Sequence, residues 1–373
     1  MTPNAAIPTT RPIVLAAGGT GGHMFPAEAL AQELLARGCH VVLITDRRGG
    51  AFGGRLDAVA VRRVHAAGVL GKSARERLKA GFLLAVGLIQ ALWLLMRLRP
   101  AAVVGFGGYA SVPAVLAARR IGVPTVLHEQ NAVLGRANRL LAPRARTLAL
   151  AFAETHGVRD ADRAKTVHTG NPVRAAVLAL TTRSYVAPEP GGALRLLITG
   201  GSQGARVFAE IVPPAVASLP MDMRARLEVN HQCRPEDIER TALVYSDAGV
   251  RYEVSAFFND MPQRLARAHL GICRAGASTI AELTVAGLPA LLVPLPSAAD
   301  DHQTVNARFC EAAGAAWMIV QSEFTAPTLA RRLFELLRSP ERLAAAARAA
   351  RDAAVPDAAR RLADVVQLAG AAA

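Results

Sequence analysis

Aromatic residues make up only 5% of this 373-residue chain. Without aromatic and basic positions interleaved, there is no stacking surface of the kind an RNA-binding sheet uses, and no compact basic recognition helix replaces it. Nucleic acid is therefore not expected as a partner. Cysteine is scarce too: Cys39, Cys233, Cys273 and Cys310 are scattered, with no C-x-x-C pair and no histidine at metal-ligand spacing. That excludes a disulfide scaffold and a zinc site, and leaves four small apolar residues of a reduced compartment. The first eleven residues lack the basic flank and apolar core of a signal peptide, so secretion is not expected either.

What is present is apolar and basic. At 52% hydrophobic and 19% charged, the chain can bury substantial cores, and its length suggests two domains. A formal charge of +14 favours anionic partners, although heavy use of alanine and arginine throughout yields the same surplus with no partner. The most apolar stretch is residues 81–96 (GFLLAVGLIQALWLLM), framed by Arg75, Arg77 and Lys79 on one side and Arg97 and Arg99 on the other. It is shorter than the about 20 residues of a spanning helix, and it contains Gln90. A buried helix, an interfacial helix and a span are the three readings. The basic flanks favour peripheral attachment to an anionic membrane surface.

Short β-branched runs alternate with longer alanine- and leucine-rich stretches, the pattern of parallel sheets wrapped by helices. Strands are expected at 13–16, 41–45, 59–64, 103–105, 125–128, 147–150 and 166–169, then at 194–199, 227–230, 250–254, 270–273, 290–293 and 316–319. A helix is expected over 26–37, and residues 329 onward read as helical. Between the two strand series lies RSYVAPEPGG (183–192), a loop near the junction. The fold class is α/β: two Rossmann-like, doubly wound parallel-sheet domains facing a cleft. The expected boundaries are 1–174 and 175–355, with a terminal helix over about 356–373 that packs back on the first domain.

Four strand ends carry the candidate chemistry. GGTGGH (18–23) follows the first strand; glycines there let backbone N–H groups approach a ligand, and the next helix N-terminus favours an anion. It is not a Walker loop, since no Lys-Ser/Thr follows, and it misses G-x-G-x-x-G at Met24. GFGGYA (105–110), followed by Ser111, matches G-x-G-x-x-A, so a nicotinamide enzyme is an alternative, with Glu129 as the acid it would need. GGSQGA (200–205) offers N–H groups and a hydroxyl to a diphosphate. RAGASTIAE (274–282) ends a strand and opens a helix; Glu282 either accepts ribose hydroxyls or complements the helix N-terminus. Asp160-Ala161-Asp162 reads as a solvated loop and not as a metal site.

Taken in order, these loops resemble those of the MurG family, the bacterial undecaprenyl-diphospho-muramoylpentapeptide N-acetylglucosaminyltransferases of the GT-B fold. The likeness runs through GGTGGH, GFGGYAS, HEQN (128–131), GNPVR (170–174), GGSQGA, RAGASTIAE, AGLPALLVPLP and ADDHQTVNA (299–307), nearly the whole chain. It implies transfer of N-acetylglucosamine from UDP-GlcNAc to the 4-hydroxyl of the muramoyl sugar of lipid I, giving lipid II with inversion. No metal and no other cofactor is implied. Donor contacts would come from Thr20, Gly21, Gly22 and Asn131 of the first domain. Arg174, Ser202, Phe258, Ala277, Ser278, Thr279, Ile280, Ala281, Glu282 and Gln303 would supply them from the second. Phe258 would meet the uracil, Glu282 the ribose and Gln303 the sugar. The acceptor diphosphate would lie against Gly18, Gly19, Gly107, Gly108, Tyr109 and Ser111. Ser278-Thr279 stands where many members carry leucine-threonine, and His302 where some carry glutamine.

Inversion needs a base for the attacking hydroxyl. His23 is the leading candidate for its pKa range and position, with Glu129 as alternative and His128 nearby. The resemblance also implies a peripheral location on the cytoplasmic face of the bacterial inner membrane, roles in cell shape and division, and closure of the domains around the donor. A silent sugar-nucleotide or lipid-binding module and a transferase for another acceptor are the remaining alternatives, and partners in the cell-wall machinery are left open.

Overall fold

The computed structural model describes residues 11–18, 21–46, 59–66, 74–201 and 204–371, with backbone alone for 21 and 74–80. They form two compact units, residues 1–174 with 355–373, and residues 175–354.

Among the described residues the first unit carries seven strands: β1 (Ile13–Ala16), β2 (Val41–Thr45), β3 (Ala60–Arg63), β4 (Ala102–Gly105), β5 (Thr125–Glu129), β6 (Thr147–Leu150) and β7 (Thr166–His168). Its helices are α1 (Gly21–Ala36), α2 (Ala74–Leu98), α3 (Gly108–Arg120), α4 (Arg136–Leu141) and α5 (Asp160–Arg163). In the second unit α6 (Ala175–Leu178), β8 (Leu194–Thr199), α7 (Arg206–Ala217), α8 (Met221–Arg224), β9 (Leu227–Gln232), α9 (Ile238–Asp247) and β10 (Arg251–Ser255) come first. They are followed by α10 (Met261–Arg267), β11 (Leu270–Cys273), α11 (Ala277–Ala286), β12 (Ala290–Leu292), α12 (His302–Ala312), β13 (Ala316–Met318), α13 (Ala326–Leu337) and α14 (Pro340–Asp352). The last helix, α15 (Ala358–Ala371), belongs to the first unit.

Both sheets are parallel, in the orders β3-β2-β1-β4-β5-β6-β7 and β10-β9-β8-β11-β12-β13. Strands β1, β4 and β11 are buried along their full length, as sheets covered on both faces require. The edge strands β3, β7 and β10 are mostly exposed, and Arg62, Arg63, Arg251 and Glu253 put charge on two of these edges. Each sheet reverses its direction of growth once, between β1 and β4 and between β8 and β11. In open α/β sheets ligands bind at that point, beyond the carboxyl ends of the strands. The four glycine-rich loops all follow these four strands.

The terminal helix buries Leu362, Ala363, Val366 and Ala369 against Leu15, Leu30 and Leu34 of the first unit's core. Each leucine or valine so buried contributes about 1.5–3 kcal/mol. Arg37 holds the helix from its rim, donating to Asp364 and Gln367 at 2.7 Å each.

Two local readings need correction. Asp160-Ala161-Asp162 is a turn of helix, not a solvated loop: Asp162 is buried and paired with Arg159 at 2.6 Å and Lys165 at 2.7 Å. Those hydrogen bonds, from Arg159 first and then Lys165, hold its carboxyl down to about 2. The first helix begins at Gly21, not Pro26, and absorbs the proline into its interior. His23 therefore lies in the first turn of a helix and not at the end of a loop.

Candidate active site

In the first unit, Gly18 is buried where β1 ends; a Cβ there would lie 2.5 Å from the Ala110 Cβ of α3. The first two glycine loops thus touch. Gly19 and Thr20 lie outside the described residues, as does Ser202 of the third loop. Gly21 and Gly22 open α1, whose first turn carries His23. Facing them, Gly107 caps α3 at φ 81°, ψ −171°, a conformation only glycine adopts freely, and Gly108 follows at φ +68°. A Cβ on Gly108 would sit 3.4 Å from His23 Cδ2 and 3.5 Å from Nε2, ordinary contact distances, so the imidazole lies against the turn and it is the positive φ that calls for glycine. Tyr109 and Ser111 complete the first turn of α3, with Ser111 Oγ donating to the Gly108 carbonyl at 2.9 Å.

The HEQN run ends β5 beneath these loops. His128 is fully buried against Phe106, ring centroids 5.6 Å apart, and donates from Nε2 to the Gly170 carbonyl at 3.0 Å. Burial drives its pKa down to about 4. Gln130 stands between it and His23, 2.9 Å from His128 Nδ1 and 3.0 Å from His23 Nδ1. Glu129 is held by its own neighbours. Its buried carboxylate accepts from the backbone N–H groups of Asn131 (3.0 Å) and Gly135 (2.8 Å) and from the amides of Asn131 (3.2 Å) and Asn138 (2.8 Å). With both oxygens occupied it shapes the 131–138 loop, and it is not open to a ribose as the nicotinamide reading requires. Asn131 is thereby held half-buried at the strand end. Arg174 closes the first unit, at the expected boundary, its guanidinium 4.9 Å over the Phe25 ring of α1.

Three residues of this site escaped the sequence reading. Gln130 carries no chemistry in isolation, and Asp46 is an acid buried at the end of β2 beside Gly18. Asn171 is buried with neither amide atom hydrogen-bonded among the described residues. The only signal for Asn171 is its place in the GNPVR run.

In the second unit the loop after β8 is tight: a Cβ on Gly200 would approach Ala205 N to 2.3 Å. Gln232 anchors this loop, accepting from Thr199 Oγ1 at 2.6 Å and donating to the Gly201 carbonyl at 3.3 Å. Both α7 and α11 start without a side-chain cap, at Ala205 and Gly276, leaving first-turn N–H groups for an anion. Ala277, Ser278, Thr279, Ile280, Ala281 and Glu282 form the first half of α11, with Glu282 half-buried. Arg274, before that helix, is buried and donates to the Val293 and Pro294 carbonyls at 3.1 Å each, tying adjacent strand ends together.

Gln303 is placed with similar economy. Its Oε1 accepts from Ala275 N at 3.2 Å and Leu295 N at 3.0 Å, which fixes the amide with Nε2 turned away from both. Two consecutive non-glycine residues at positive φ, Asp300 (53°) and Asp301 (52°), bring α12 to this position. Phe258 is buried, with the Arg264 guanidinium 3.8 Å over its ring. Glu253 holds that guanidinium through two 2.7 Å bonds, and Asp260 adds one at 2.8 Å.

Beside α3, the helix α2 embeds Gly87, Ala91 and Leu95 and leaves Phe82, Ile89, Trp93 and Met96 more than half exposed. Residues Gly81–Leu98 are long and apolar enough to cross a membrane by length and composition, with 17% of the window buried. One face of the helix nonetheless belongs to the protein core: a Cβ on Gly87 would strike the His65 carbonyl.

Comparison with known proteins identifies the family and the fold. Residues 13–150 match the glycosyltransferase family 28 N-terminal domain and residues 195–362 its C-terminal domain. The UDP-N-acetylglucosamine–N-acetylmuramyl-(pentapeptide) pyrophosphoryl-undecaprenol N-acetylglucosamine transferase of Rhodospirillum centenum is 59% identical, over 95% of this chain and 93% of that one. The protein of the same name from Paramagnetospirillum magneticum is 53% identical, over 96% and 97%. The crystal structure of Acinetobacter baumannii MurG superposes with a TM-score of 0.77 at 35% identity, covering 96% of this chain and 99% of that one.

Proposed function

The chain belongs to glycosyltransferase family 28, and we propose that it transfers N-acetylglucosamine from UDP-GlcNAc to the 4-hydroxyl of the muramoyl sugar of lipid I, forming lipid II. The near full-length likeness to relatives named for that transfer carries this reading. Within it, residues 1–174 with the terminal helix take the acceptor, and residues 175–354 take the donor.

The reaction is a single displacement. The acceptor oxygen attacks the anomeric carbon of the donor, the bond to the UDP oxygen breaks, and the electron pair leaves on the diphosphate. The hydroxyl proton goes to His23 Nε2, which lies beside the Gly107–Gly108 turn. Charge developing on the diphosphate is met by the uncapped N-termini of α7 and α11, with Ser202, Ser278 and Thr279 alongside and Arg174 as the cation. In this scheme the protein's own dipoles and cation do the work of a metal ion. Glu282 accepts from the ribose hydroxyls, the backbone at Phe258 reads the uracil, and the outward Nε2 of Gln303 donates to the sugar. The loops at 18–22 and 107–111 hold the acceptor diphosphate, and Thr20, Gly21, Gly22 and Asn131 contact the donor from their side.

The protein is read as peripheral on the cytoplasmic face of the inner membrane. The apolar stripe Phe82-Ile89-Trp93-Met96 lies in the headgroup region and Arg97 and Arg99 meet anionic lipid. Burial of the opposite face of α2 favours a helix lying in the interface over one that spans it. The test is product analysis: incubation of the protein with UDP-GlcNAc and a lipid I analogue yields the analogue extended by one N-acetylglucosamine. An unmodified analogue alongside a modified polyprenyl-linked or small-molecule alternative sinks the acceptor assignment.

A further inference from the structure

The hydrogen bonds around Gln130 can be solved in sequence, because two of them end on carbonyl oxygens that only accept. His128 Nε2 lies 3.0 Å from the Gly170 carbonyl, so that nitrogen carries a proton. The ring is buried and neutral, so its Nδ1 is a lone pair. Gln130 Nε2 lies 2.9 Å from that Nδ1 and 2.9 Å from the His128 carbonyl, and it donates to both. The amide orientation is thereby fixed, and Oε1 faces His23 Nδ1 at 3.0 Å. An amide oxygen cannot donate, so His23 Nδ1 must. Neutral His23 is left with its lone pair on Nε2, the nitrogen against the Gly107–Gly108 turn.

We propose that Gln130 is a positioning residue that locks His23 in the Nδ1–H tautomer, presenting Nε2 as the proton acceptor for the attacking hydroxyl. This deepens the functional reading above and rests on His23 as the base. The reversed amide would offer N–H to His23 Nδ1 and drive the proton onto Nε2, which turns the base into a donor. The same geometry explains why position 130 is an amide and not an acid. A carboxylate would set oxygen lone pairs against both the Nδ1 and the carbonyl of His128 with no proton to offer. The Gly170 carbonyl is thus the fixed end of a chain that runs through His128 and Gln130 to His23.

The test combines spectroscopy with kinetics on the full-length protein. Nitrogen spectra of ¹⁵N-histidine-labelled protein, recorded where the imidazoles are neutral, report which ring nitrogen of each histidine is protonated; His23→Asn identifies the His23 signals. Wild-type His23 is expected as Nδ1–H. Gln130→Met keeps the volume but removes the amide, and is expected to shift His23 towards Nε2–H. Its kcat falls about tenfold to a hundredfold, part of the usual worth of a general base, while KM for UDP-GlcNAc stays within about twofold. A wild-type His23 protonated on Nε2 overturns the proposal. So does a Met variant with unchanged kcat, or one whose kcat falls with the tautomer unmoved, since that marks a merely structural role. Should the variant fail to fold, the wild-type spectrum alone decides. Failure of wild-type protein to glycosylate lipid I would sink the functional reading and leave the tautomer result standing.

Discussion

His128 donates from Nε2 to the carbonyl of Gly170 at 3.0 Å, joining the end of β5 to the turn after β7 through a fully buried imidazole. Burial makes a second proton on that ring costly. Burial lowers its pKa to about 4, and that of His231 in the second unit to about 3. Both values lie below the 6.5 of an unfolded histidine, so the unfolded chain binds more protons as pH falls. The stability these rings permit is whole above about pH 6.5 and is lost as pH falls, down to about pH 4 for His128 and about pH 3 for His231, His128 alone accounting for on the order of 3 kcal/mol. Urea unfolding across that range is expected to show a steady fall in stability. A flat profile contradicts the buried neutral assignment.

The Gly107–Gly108 turn makes a steric prediction. Gly108→Ala adds a Cβ 3.4 Å from His23 Cδ2 in a backbone held at φ +68°. The backbone strain costs about 1–3 kcal/mol of stability. The added Cβ itself is in ordinary contact with the imidazole, so any effect on turnover comes from the turn relaxing away from φ +68° against His23, which is expected to lower kcat by up to about a hundredfold. Lost stability with unchanged turnover would show that this turn does not position His23.

Gln303→Glu separates the two ends of one amide. The carboxylate still accepts from Ala275 N and Leu295 N, so the melting temperature is expected to hold. The outward N–H groups are lost, and KM for UDP-GlcNAc is expected to rise by about tenfold, the worth of a hydrogen bond or two. Lost thermal stability with KM unchanged would show Gln303 to be scaffolding only.

The exposed stripe on α2 is testable without touching the site. Ile89→Asp with Trp93→Asp removes two large apolar side chains that are 67% and 57% exposed. Binding to anionic vesicles is expected to weaken by at least about tenfold, since each buried side chain contributes about 1.5–3 kcal/mol. Turnover of a water-soluble acceptor should stay unchanged. Vesicle binding equal to wild type would leave the stripe without its membrane role.

Much of the fold was legible because parallel strands buried on both faces are written as short β-branched runs. All thirteen expected strands are present, with ends off by a residue or two. The start of α1 was not legible, since Pro26 and two glycines argue locally for a later beginning, whereas the helix starts at Gly21 with Pro26 inside it. Glu129 read as a titratable group near the reaction, and only the folded chain reveals four donors converging on it. Gln130 could not be found from sequence at all. Its meaning lies in contact with His23, 107 residues away, and pattern and composition carry nothing about a pair so far apart. Asp162 illustrates the opposite error: an acid in a charged stretch read as solvated, yet two cations close over it and bury it.

The most direct measurement is UDP release from UDP-GlcNAc with a lipid I analogue in the presence of EDTA, comparing wild type with Glu282→Ala. Release that depends on the acceptor, survives EDTA and collapses in the variant is the predicted result. No release with lipid I, or release abolished by EDTA, would contradict the account.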